Sequence, residues 1–214
     1  MVVAARLKPS VKSVDELSRY QRRRRVVIAS LVVVIFMALL FVRSAADGRL
    51  HENVEAFGIG AILIAILGRT WCTLYIGGRK SSEIVTGGPY SVSRNPLYVF
   101  STIGAAGIGA MTGSLVVAVG LAVLCYGAFR SVISVEEGYL EHVFGDAYRQ
   151  YMKDVPRFFP NPALFRESEM LSVRPQFLYR TFADGLMFLA AYPFFELVEH
   201  LQDAGMLPVI LVLF

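Results

Sequence analysis

The sequence predicts an all-α protein, a polytopic integral membrane bundle of about five helical spans. Its 214 residues are 55% hydrophobic and only 18% charged, and the mean hydropathy is +0.54. Soluble domains are typically about 25% charged, so this composition is too apolar for one of them. The apolar residues are also gathered into runs long enough to cross a hydrocarbon layer of roughly 30 Å.

The predicted first span is residues 26–42, which directly follow four arginines at 22–25. A basic cluster beside an apolar run is typical of a cytoplasmic anchor. Residues 1–25 are therefore expected to form a cytoplasmic N-terminal segment, and residues 26–214 the membrane domain. The alternative is a cleaved secretory signal, but this run of about 17 residues exceeds the usual signal core of roughly 7 to 15, which favours a retained span.

Four further apolar segments follow the first span. They are residues 54–76, residues 97–111 and 114–129, which only Thr112-Gly113 separates, and residues 182–198. The short separation predicts a tight antiparallel hairpin of two short helices. Ala105 and Gly109 belong to a four-residue repeat of small side chains, which predicts close packing of helix backbones. The apolar residues 206–214 are too few to cross alone, since a spanning helix needs about 20 residues.

Two polar segments flank the predicted hairpin. Residues 77–95 are expected to form a loop because they contain several glycines and serines and one proline. Residues 130–174 are polar and aromatic, and within them residues 147–155 have the spacing of an amphipathic helix at the membrane interface. The helices of a hairpin are antiparallel, so its outer ends meet on one side of the membrane. The two polar segments are therefore expected to share one site at the cytoplasmic face.

One arginine interrupts the second predicted span. Arg69 lies near the end of that span, two residues before Trp71. Its side chain either extends to the cytoplasmic interface beside an interfacial tryptophan, or it faces a polar cavity inside the bundle. The sequence leaves both interpretations open.

Two other classes of protein are disfavoured. The formal net charge is +4, but the positive charges are clustered beside an apolar run and are not interleaved with aromatic residues on a polar face, so no nucleic-acid partner is expected. The two cysteines, Cys72 and Cys125, lie inside apolar segments without the spacing of metal ligands. They indicate neither a disulfide framework nor a zinc site.

Several short motifs lie around the predicted hairpin. Before it stand Gly88-Pro89-Tyr90 and Arg94-Asn95-Pro96-Leu97-Tyr98; after it stand Glu136-Glu137, Phe144-Gly145-Asp146-Ala147-Tyr148 and Val155-Pro156. Each motif is weak alone. In this order and spacing, the stretch from about 75 to 160 resembles the membrane methyltransferases that include isoprenylcysteine carboxyl methyltransferases and phospholipid N-methyltransferases. The resemblance implies that this stretch is the catalytic core.

The resemblance also implies a cofactor, S-adenosylmethionine, and a pocket for it. Ten residues match positions that line this pocket in the family. They are Ser82, Glu83, Ile84, Val85, Tyr90, Asn95, Pro96, Leu97, Tyr98 and Glu136.

The chemistry of these residues is compatible with that role. The faces of Tyr90 and Tyr98 suit a sulfonium cation, although each could also be an interfacial tyrosine. Asn95 offers a donor and an acceptor to the cofactor, and it is equally placed to cap the helix that begins at Pro96. Glu136 can accept hydrogen bonds from hydroxyl or amino groups of the cofactor. The same Glu136-Glu137 sequence would also be found if both acids simply faced solvent.

Three arginines are candidate catalytic residues that would bind an acidic acceptor. In the isoprenylcysteine members an arginine lies four residues before the first paired glutamate, and here that position is Val132. Arg130, two residues earlier, is the first candidate, and Arg94 and Arg157 are the others. Each could instead be an anchoring charge at the membrane interface.

The preferred hypothesis is an S-adenosylmethionine-dependent methyltransferase for a lipophilic acceptor, most concretely an isoprenylcysteine-type carboxyl O-methyltransferase. The acceptor would enter from the bilayer, whose lipids are the other expected partners. A phospholipid N-methyltransferase is the alternative within this class. Outside it stand a nicotinamide-dependent membrane reductase and a non-catalytic membrane scaffold.

Overall fold

A computed structural model of the chain describes residues 30, 33–46, 48–79, 83–167 and 169–214. The chain divides into two compact units, Met1–Phe41 and Val42–Phe214. In the first unit, residues 33–39 are helical, which agrees with part of the predicted first span. The arginines at 22–25, the rest of the N-terminal segment and much of that span lie outside the described residues.

The second unit is a helical bundle with one small pair of strands. Its elements are β1 (Val42–Ser44), α1 (Gly48–Ile76), α2 (Pro89–Val92), α3 (Pro96–Ala110), α4 (Leu115–Phe144), α5 (Asp146–Asp154), a 3₁₀ turn (Pro162–Leu164), α6 (Pro175–Leu186), a second 3₁₀ turn (Met187–Ala190), α7 (Ala191–Asp203) and β2 (Leu211–Leu213). The helical bundle that the sequence predicts is therefore confirmed.

Three helical stretches among the described residues are long and apolar enough to cross a membrane. They are α1, α4 and the continuous stretch Pro175–Asp203, and α3 is a shorter apolar helix. The predicted spans at 54–76, 97–111 and 182–198 lie largely within these helices. The helices predicted at 54–76, 97–111 and 182–198 are thus confirmed, and the first and third lie in helices long enough to cross a membrane, whereas α3 has only 15 residues.

The second helix of the hairpin differs most from its prediction. It was expected to end at Phe129, but α4 continues to Phe144. The prediction ended where Arg130 ends the apolar run, yet the next fourteen residues contain no proline to break the helical hydrogen bonds. The apolar stretch and the helix therefore end at different places, and α4 carries the paired glutamates beyond the apolar segment.

Small residues allow the helices to approach closely. A Cβ added to Gly107 of α3 would lie 2.8 Å from the backbone oxygen of Gly58 in α1. A Cβ added to Gly109 would lie 2.7 Å from Cα of Ala118 in α4. Glycines of α3 therefore bring it into backbone contact with both neighbouring helices. The repeat of small residues predicts the contact at Gly109, whereas Gly107 lies outside that repeat.

The C-terminal residues form a strand. β2 pairs in parallel with β1, with Val42 opposite Leu211 and Ser44 opposite Leu213. Ser114, the N-cap residue of α4, donates its hydroxyl to the backbone oxygen of Phe214 at 2.7 Å. The apolar end of the chain is thus attached to the end of the bundle where the α3–α4 turn lies.

Candidate functional site

A cavity of about 260 Å³ opens at the end of the bundle where α1 ends and α3 begins. Its walls come from α1, the loop after it, the start of α3, the second half of α4 and the helix α5. The lining residues are Arg69, Ile76, Glu83, Ile84, Val85, Tyr90, Arg94, Asn95, Leu97, Tyr98, Glu136, Glu137, Leu140, Tyr148 and Tyr151. Eight of the ten predicted cofactor residues are among them.

The two motifs on either side of the hairpin meet in this cavity. Tyr98 on α3 donates its hydroxyl to Oε2 of Glu136 on α4 at 2.9 Å. Asn95, just before α3, donates from Nδ2 to Oε1 of Glu137 at 3.1 Å. The hairpin therefore places residues about 40 positions apart in the chain around one small volume, as its antiparallel geometry predicts.

The second glutamate of the pair is the centre of a charge cluster. Glu137 accepts from Arg94 Nε at 2.9 Å, and Arg157 Nε lies 2.9 Å from its other oxygen. The side chains of Arg94 and Glu137 are only 10% and 9% exposed, whereas Arg157 is 40% exposed. The two guanidinium groups offset the cost of burying the Glu137 carboxylate, and Glu137 in turn compensates the buried charge of Arg94.

Arg94 connects this cluster to α5. Its Nη1 donates to the backbone oxygens of Met152 at 2.6 Å and Val155 at 2.8 Å, at the end of that helix. The C-terminal carbonyls of a helix lack intrahelical partners, and a guanidinium group satisfies them well. Arg94 therefore positions α5 over the cavity. Because its guanidinium is also bonded to Glu137, Arg94 has a structural role in the described site.

The amide of Asn95 is used in the same way. Its Nδ2 donates to Glu137 and, at 3.0 Å, to the backbone oxygen of Arg157. Its backbone occupies the N-cap position of α3, but its side chain makes no capping hydrogen bond. The capping interpretation is thus wrong for the side chain, which instead joins the end of the loop to α4.

The amphipathic helix α5 covers the cavity with two tyrosines. Tyr148 and Tyr151 are buried and line the cavity, whereas Arg149 and Lys153 are exposed on the opposite face. The helix at 147–155 is therefore confirmed. Its apolar face packs against the protein, so the expectation that this face lies in the membrane interface is wrong for these tyrosines.

The hydroxyl of Tyr90 is buried in the cavity and has no hydrogen-bond partner among the described residues. The backbone oxygen of Tyr90 is occupied, since Tyr151 donates its hydroxyl to it at 2.7 Å. Burial raises the pKa of Tyr90 well above its usual value, and it raises the pKa of Tyr148 to about 12. Both phenols stay neutral at physiological pH and can donate hydrogen bonds into the cavity.

Arg69 lines the same cavity from the α1 side. Its Nη1 donates to the hydroxyl of Ser101, and its guanidinium carbon lies 5.8 Å from the centroid of the Phe188 ring. Its Nε is buried without a hydrogen-bond partner among the described residues. Of the two interpretations of this intramembrane arginine, the polar cavity is the one that the geometry favours.

The remaining predicted site residues lie elsewhere. Arg130 is exposed on α4 and does not line the cavity, and Arg157 contacts Glu137 and Ser134 beside it. Pro96 is fully buried as the first residue of α3, so it shapes the cavity without lining it. Ser82 lies outside the described residues.

A tight turn presents Tyr90 to the cavity. Gly88 has a φ of 57°, and a Cβ at this position would overlap the ring of Tyr75 on α1. The next residue, Pro89, begins α2, where its missing N–H costs no helical hydrogen bond. A glycine is therefore required here both for its backbone angle and for close packing.

Comparison with known proteins identifies the family of the chain. The family model for phospholipid methyltransferases matches residues 57–147, which contain most of the cavity wall. The protein-S-isoprenylcysteine O-methyltransferase of Schizosaccharomyces pombe is 37% identical over 81 residues, which are 38% of this chain and 34% of that protein. Residues 57–147 therefore form a domain of the phospholipid methyltransferase family, and the chain is a membrane methyltransferase.

Two relatives match this methyltransferase over nearly its whole length. The cobalt-zinc-cadmium resistance protein CzcN of Cupriavidus metallidurans is 35% identical over 199 residues, 92% of each chain. The nickel-cobalt-cadmium resistance protein NccN of Alcaligenes xylosoxydans xylosoxydans is 35% identical over 209 residues, 97% of this chain and 98% of that protein. No solved structure matches the chain.

Sequence reasoning did not assign several residues that line the cavity of this methyltransferase. Leu140 lies one helical turn after Glu136, and continuing α4 beyond Arg130 would have placed it on the cavity side. Tyr148 and Tyr151 were identified as one face of an amphipathic helix, but nothing in the spacing showed that this face meets the cavity. Glu137 belongs to the acidic pair of the motif, but only the tertiary structure distinguishes its role from that of Glu136.

Proposed function

We propose that this membrane methyltransferase uses S-adenosylmethionine and methylates a lipophilic acceptor that enters from the bilayer. The observation that supports this most directly is the cavity in which Tyr90, Tyr98 and Glu136 converge. It combines in one volume aromatic faces, a carboxylate and a buried hydroxyl that has no partner in the described part of the chain. These are the groups that a compact cation with a polar nucleoside requires.

The lining of the cavity suits this cofactor in its chemistry. Its volume of about 260 Å³ is just below the roughly 300–1,000 Å³ of typical small-molecule sites. Ile84, Val85 and Leu97 supply apolar wall, and the hydroxyl of Tyr90 is a donor that lacks a partner among the described residues. Such an orphaned buried donor is costly unless a ligand accepts its hydrogen bond.

Each cavity residue has a distinct task in this proposal. When bound, S-adenosylmethionine supplies an activated methyl group. Glu136 accepts hydrogen bonds from its polar groups, and Tyr98, bonded to Glu136, keeps that carboxylate in place. The tyrosines of α5 close the cavity and exclude water. Alignment and exclusion of water are the main requirements for this displacement, so no acid-base pair is needed for an acceptor that is already an anion.

Arg69 supports an acidic acceptor. Arg94 and Arg157 are both engaged by Glu137, whereas Arg69 lines the cavity with its Nε unpartnered among the described residues. A guanidinium inside the apolar part of the bundle is well placed to bind the carboxylate of a molecule whose tail lies in the bilayer. We therefore propose carboxyl O-methylation of an isoprenylcysteine-type acceptor.

A phospholipid N-methyltransferase is the second candidate. The family model that matches the chain is named for phospholipids, and the carboxylates of Glu83 and Glu136 line the cavity. An amine acceptor must lose a proton, and a carboxylate beside it is a plausible base. This candidate assigns no role to Arg69.

The names of the full-length relatives suggest the biological setting. CzcN and NccN are named for resistance to cobalt, zinc, cadmium and nickel. We propose that methylation by this protein contributes to resistance to such metals. In the source organism, loss of the gene should raise sensitivity to cadmium, and wild-type protein but not Glu136→Ala should restore growth. Equal restoration by both proteins would contradict a role for methyl transfer.

The orientation follows from the predicted cytoplasmic N-terminus. With residues 1–25 in the cytoplasm and residues 26–42 as the first span, α1 returns to the cytoplasmic side at Ile76. The cavity, which lies at that end of α1, would then face the cytoplasm. Labelling of a cysteine introduced at exposed Lys153, in a variant whose native Cys72 and Cys125 are replaced by alanine, from inside or outside intact cells, would test this arrangement.

In the central experiment, purified protein is incubated with labelled S-adenosylmethionine and with one of two acceptors, a prenylcysteine analogue or phosphatidylethanolamine. Formation of a base-labile methyl ester on the first alone supports the proposal. Base-stable product on the second alone supports the phospholipid candidate. Binding of a nicotinamide nucleotide but not of S-adenosylmethionine would favour a reductase, and binding of neither would favour a scaffold.

A further inference from the structure

A second group of polar side chains lies at the end of the bundle opposite the cavity. His51 and Glu55 are one turn apart at the start of α1, and Glu199 is on α7. His51 Nε2 lies 3.2 Å from Glu55 Oε1 and 3.5 Å from Glu199 Oε2. One ligand atom from each of the three residues lies within 4.8 Å of the other two. Residues 148 positions apart in the chain thus converge on one point.

The position of the imidazole is set by the turn between α3 and α4. Gly113 has a φ of 67°, and a Cβ at this position would overlap the ring of His51. The same turn is held by Ser44, which donates its hydroxyl to the backbone oxygen of Gly113 at 2.8 Å. The ring is therefore packed against backbone, with its Nε2 directed to the two carboxylates. Preorganised ligands of this kind bind a metal ion with little rearrangement.

The charge around the imidazole is unbalanced. The carboxylates of Glu55 and Glu199 both lie beside the single imidazole of His51. Arg43 lines the adjacent cavity, but its Nη2 pairs with Asp203 at 2.7 Å. A neutral imidazole can donate its single N–H to only one of the two carboxylates at Nε2. A divalent cation would satisfy all three ligand atoms at once and reduce the repulsion between the acids.

We propose that His51, Glu55 and Glu199 bind a divalent transition-metal ion of the zinc class. One imidazole nitrogen and two carboxylate oxygens suit zinc, cobalt or nickel, whereas magnesium prefers oxygen ligands in a regular octahedron. A space of about 20 Å³ beside His51 and Glu199 can hold a water-sized fourth ligand. Glu199 is 42% exposed, so an ion can enter from the aqueous side.

This site is separate from the methyl-transfer cavity. The cluster lies in the first turns of α1, whereas the cavity lies at its other end beside Ile76. A helix of 29 residues is about 43 Å long at 1.5 Å per residue. The metal site therefore does not rest on the proposed methyl transfer, and it faces the opposite side of the membrane.

The test uses full-length protein purified in detergent without a polyhistidine tag. Cobalt(II) is titrated while its visible absorption is recorded, and zinc(II) is then added as a competitor. Wild type should bind one equivalent with a tetrahedral-type spectrum that zinc removes. His51→Ala should weaken binding at least tenfold, within the roughly 10- to 100-fold range seen when groups that support a metal site are removed.

The chain provides matched controls, since His142 and His200 are its other two histidines. His200 follows Glu199 directly and is exposed, so His200→Ala removes an imidazole close by without removing a ligand. His200→Ala and His142→Ala should bind cobalt as wild type does. Absence of saturable binding to wild type, or equal loss in all three histidine variants, would overturn the proposal.

A second variant guards against loss of folding. Glu199→Gln keeps the size of a half-exposed side chain and removes one anionic ligand. Zinc should raise the Tm of wild type and have a smaller effect on Glu199→Gln, although the two proteins unfold at similar temperatures without metal. An equal rise in Tm for both would contradict the assignment, whether or not His51→Ala folds.

Discussion

Arg94 Nε and Glu137 Oε1 lie 2.9 Å apart, and both side chains are about nine-tenths buried. The same arginine holds the end of α5 through the backbone oxygens of Met152 and Val155. One ion pair thus joins the loop before α3, the helix α4 and the helix that covers the cavity. This relationship separates the tasks of the two adjacent glutamates, and it leads to the first two predictions.

Glu137→Ala should lower the free energy of unfolding by about 3 kcal/mol, because removing one partner of a buried ion pair leaves the other charge uncompensated. Reversible unfolding in detergent, followed by circular dichroism, measures the change. Lys153 is exposed on α5, and Lys153→Ala is the control that should change stability little. A Glu137→Ala protein as stable as this control would contradict the structural role.

Glu136→Gln should leave stability close to that of wild type and weaken binding of S-adenosylmethionine at least tenfold. The amide keeps the size of the side chain and can still accept from the Tyr98 hydroxyl, but it loses the charge that favours the bound cation. Calorimetric titration measures the affinity. If Glu136→Gln unfolds early and binds normally when folded, the roles given to the two glutamates are reversed.

Tyr90→Phe should retain or slightly increase stability, because the hydroxyl that it removes is buried without a partner among the described residues. Affinity for S-adenosylmethionine should fall about fivefold if that hydroxyl donates to the cofactor, since one hydrogen bond to a polar ligand contributes about 1 kcal/mol. Tyr151→Phe is the contrasting variant. It loses the bond to the Tyr90 backbone oxygen and should lose stability.

Arg69→Ala should raise the KM for an acidic lipophilic acceptor at least tenfold and change the affinity for S-adenosylmethionine much less. The guanidinium is the cavity cation that Glu137 does not engage. Steady-state kinetics with each substrate varied in turn separates these effects. Arg130→Ala is the matched control, because Arg130 is exposed and does not line the cavity. An equal rise in KM for both variants would restore Arg130 as a candidate.

Gly88→Ala should be more destabilising than Gly145→Ala. The two glycines have nearly the same backbone angles, with φ of 57° and 58° and ψ of −131° and −128°. Backbone strain at either position should lower the stability of the alanine variant by about 1–3 kcal/mol. At Gly145 nothing lies within 4 Å of the new Cβ, whereas at Gly88 it overlaps the Tyr75 ring. Thermal unfolding of both variants isolates the steric cost, and equal losses would contradict it.

The composition, the apolar runs and the motifs around the hairpin determined the fold class and most of the cavity wall. Periodic apolar runs report burial in lipid or protein directly, and an antiparallel hairpin has only one way to bring its outer ends together. The contact between the segment around Asn95 and the paired glutamates was therefore predictable. The extension of α4 beyond Arg130 was not predictable, because hydropathy indicates which residues lie in the membrane and does not indicate where the helical hydrogen bonds end.

The division of labour among charged residues was decided only by the tertiary structure. Glu136 and Glu137 are adjacent in sequence and both line the cavity, but successive residues of a helix point about 100° apart, so one pairs with Tyr98 and the other with two arginines. Likewise, the sequence allowed Arg69 to lie at an interface or in a cavity, and only the packing of Ser101 on α3 and of Phe188 around it decided between them. Charges act through space and desolvation, and both depend on partners that are distant in the chain.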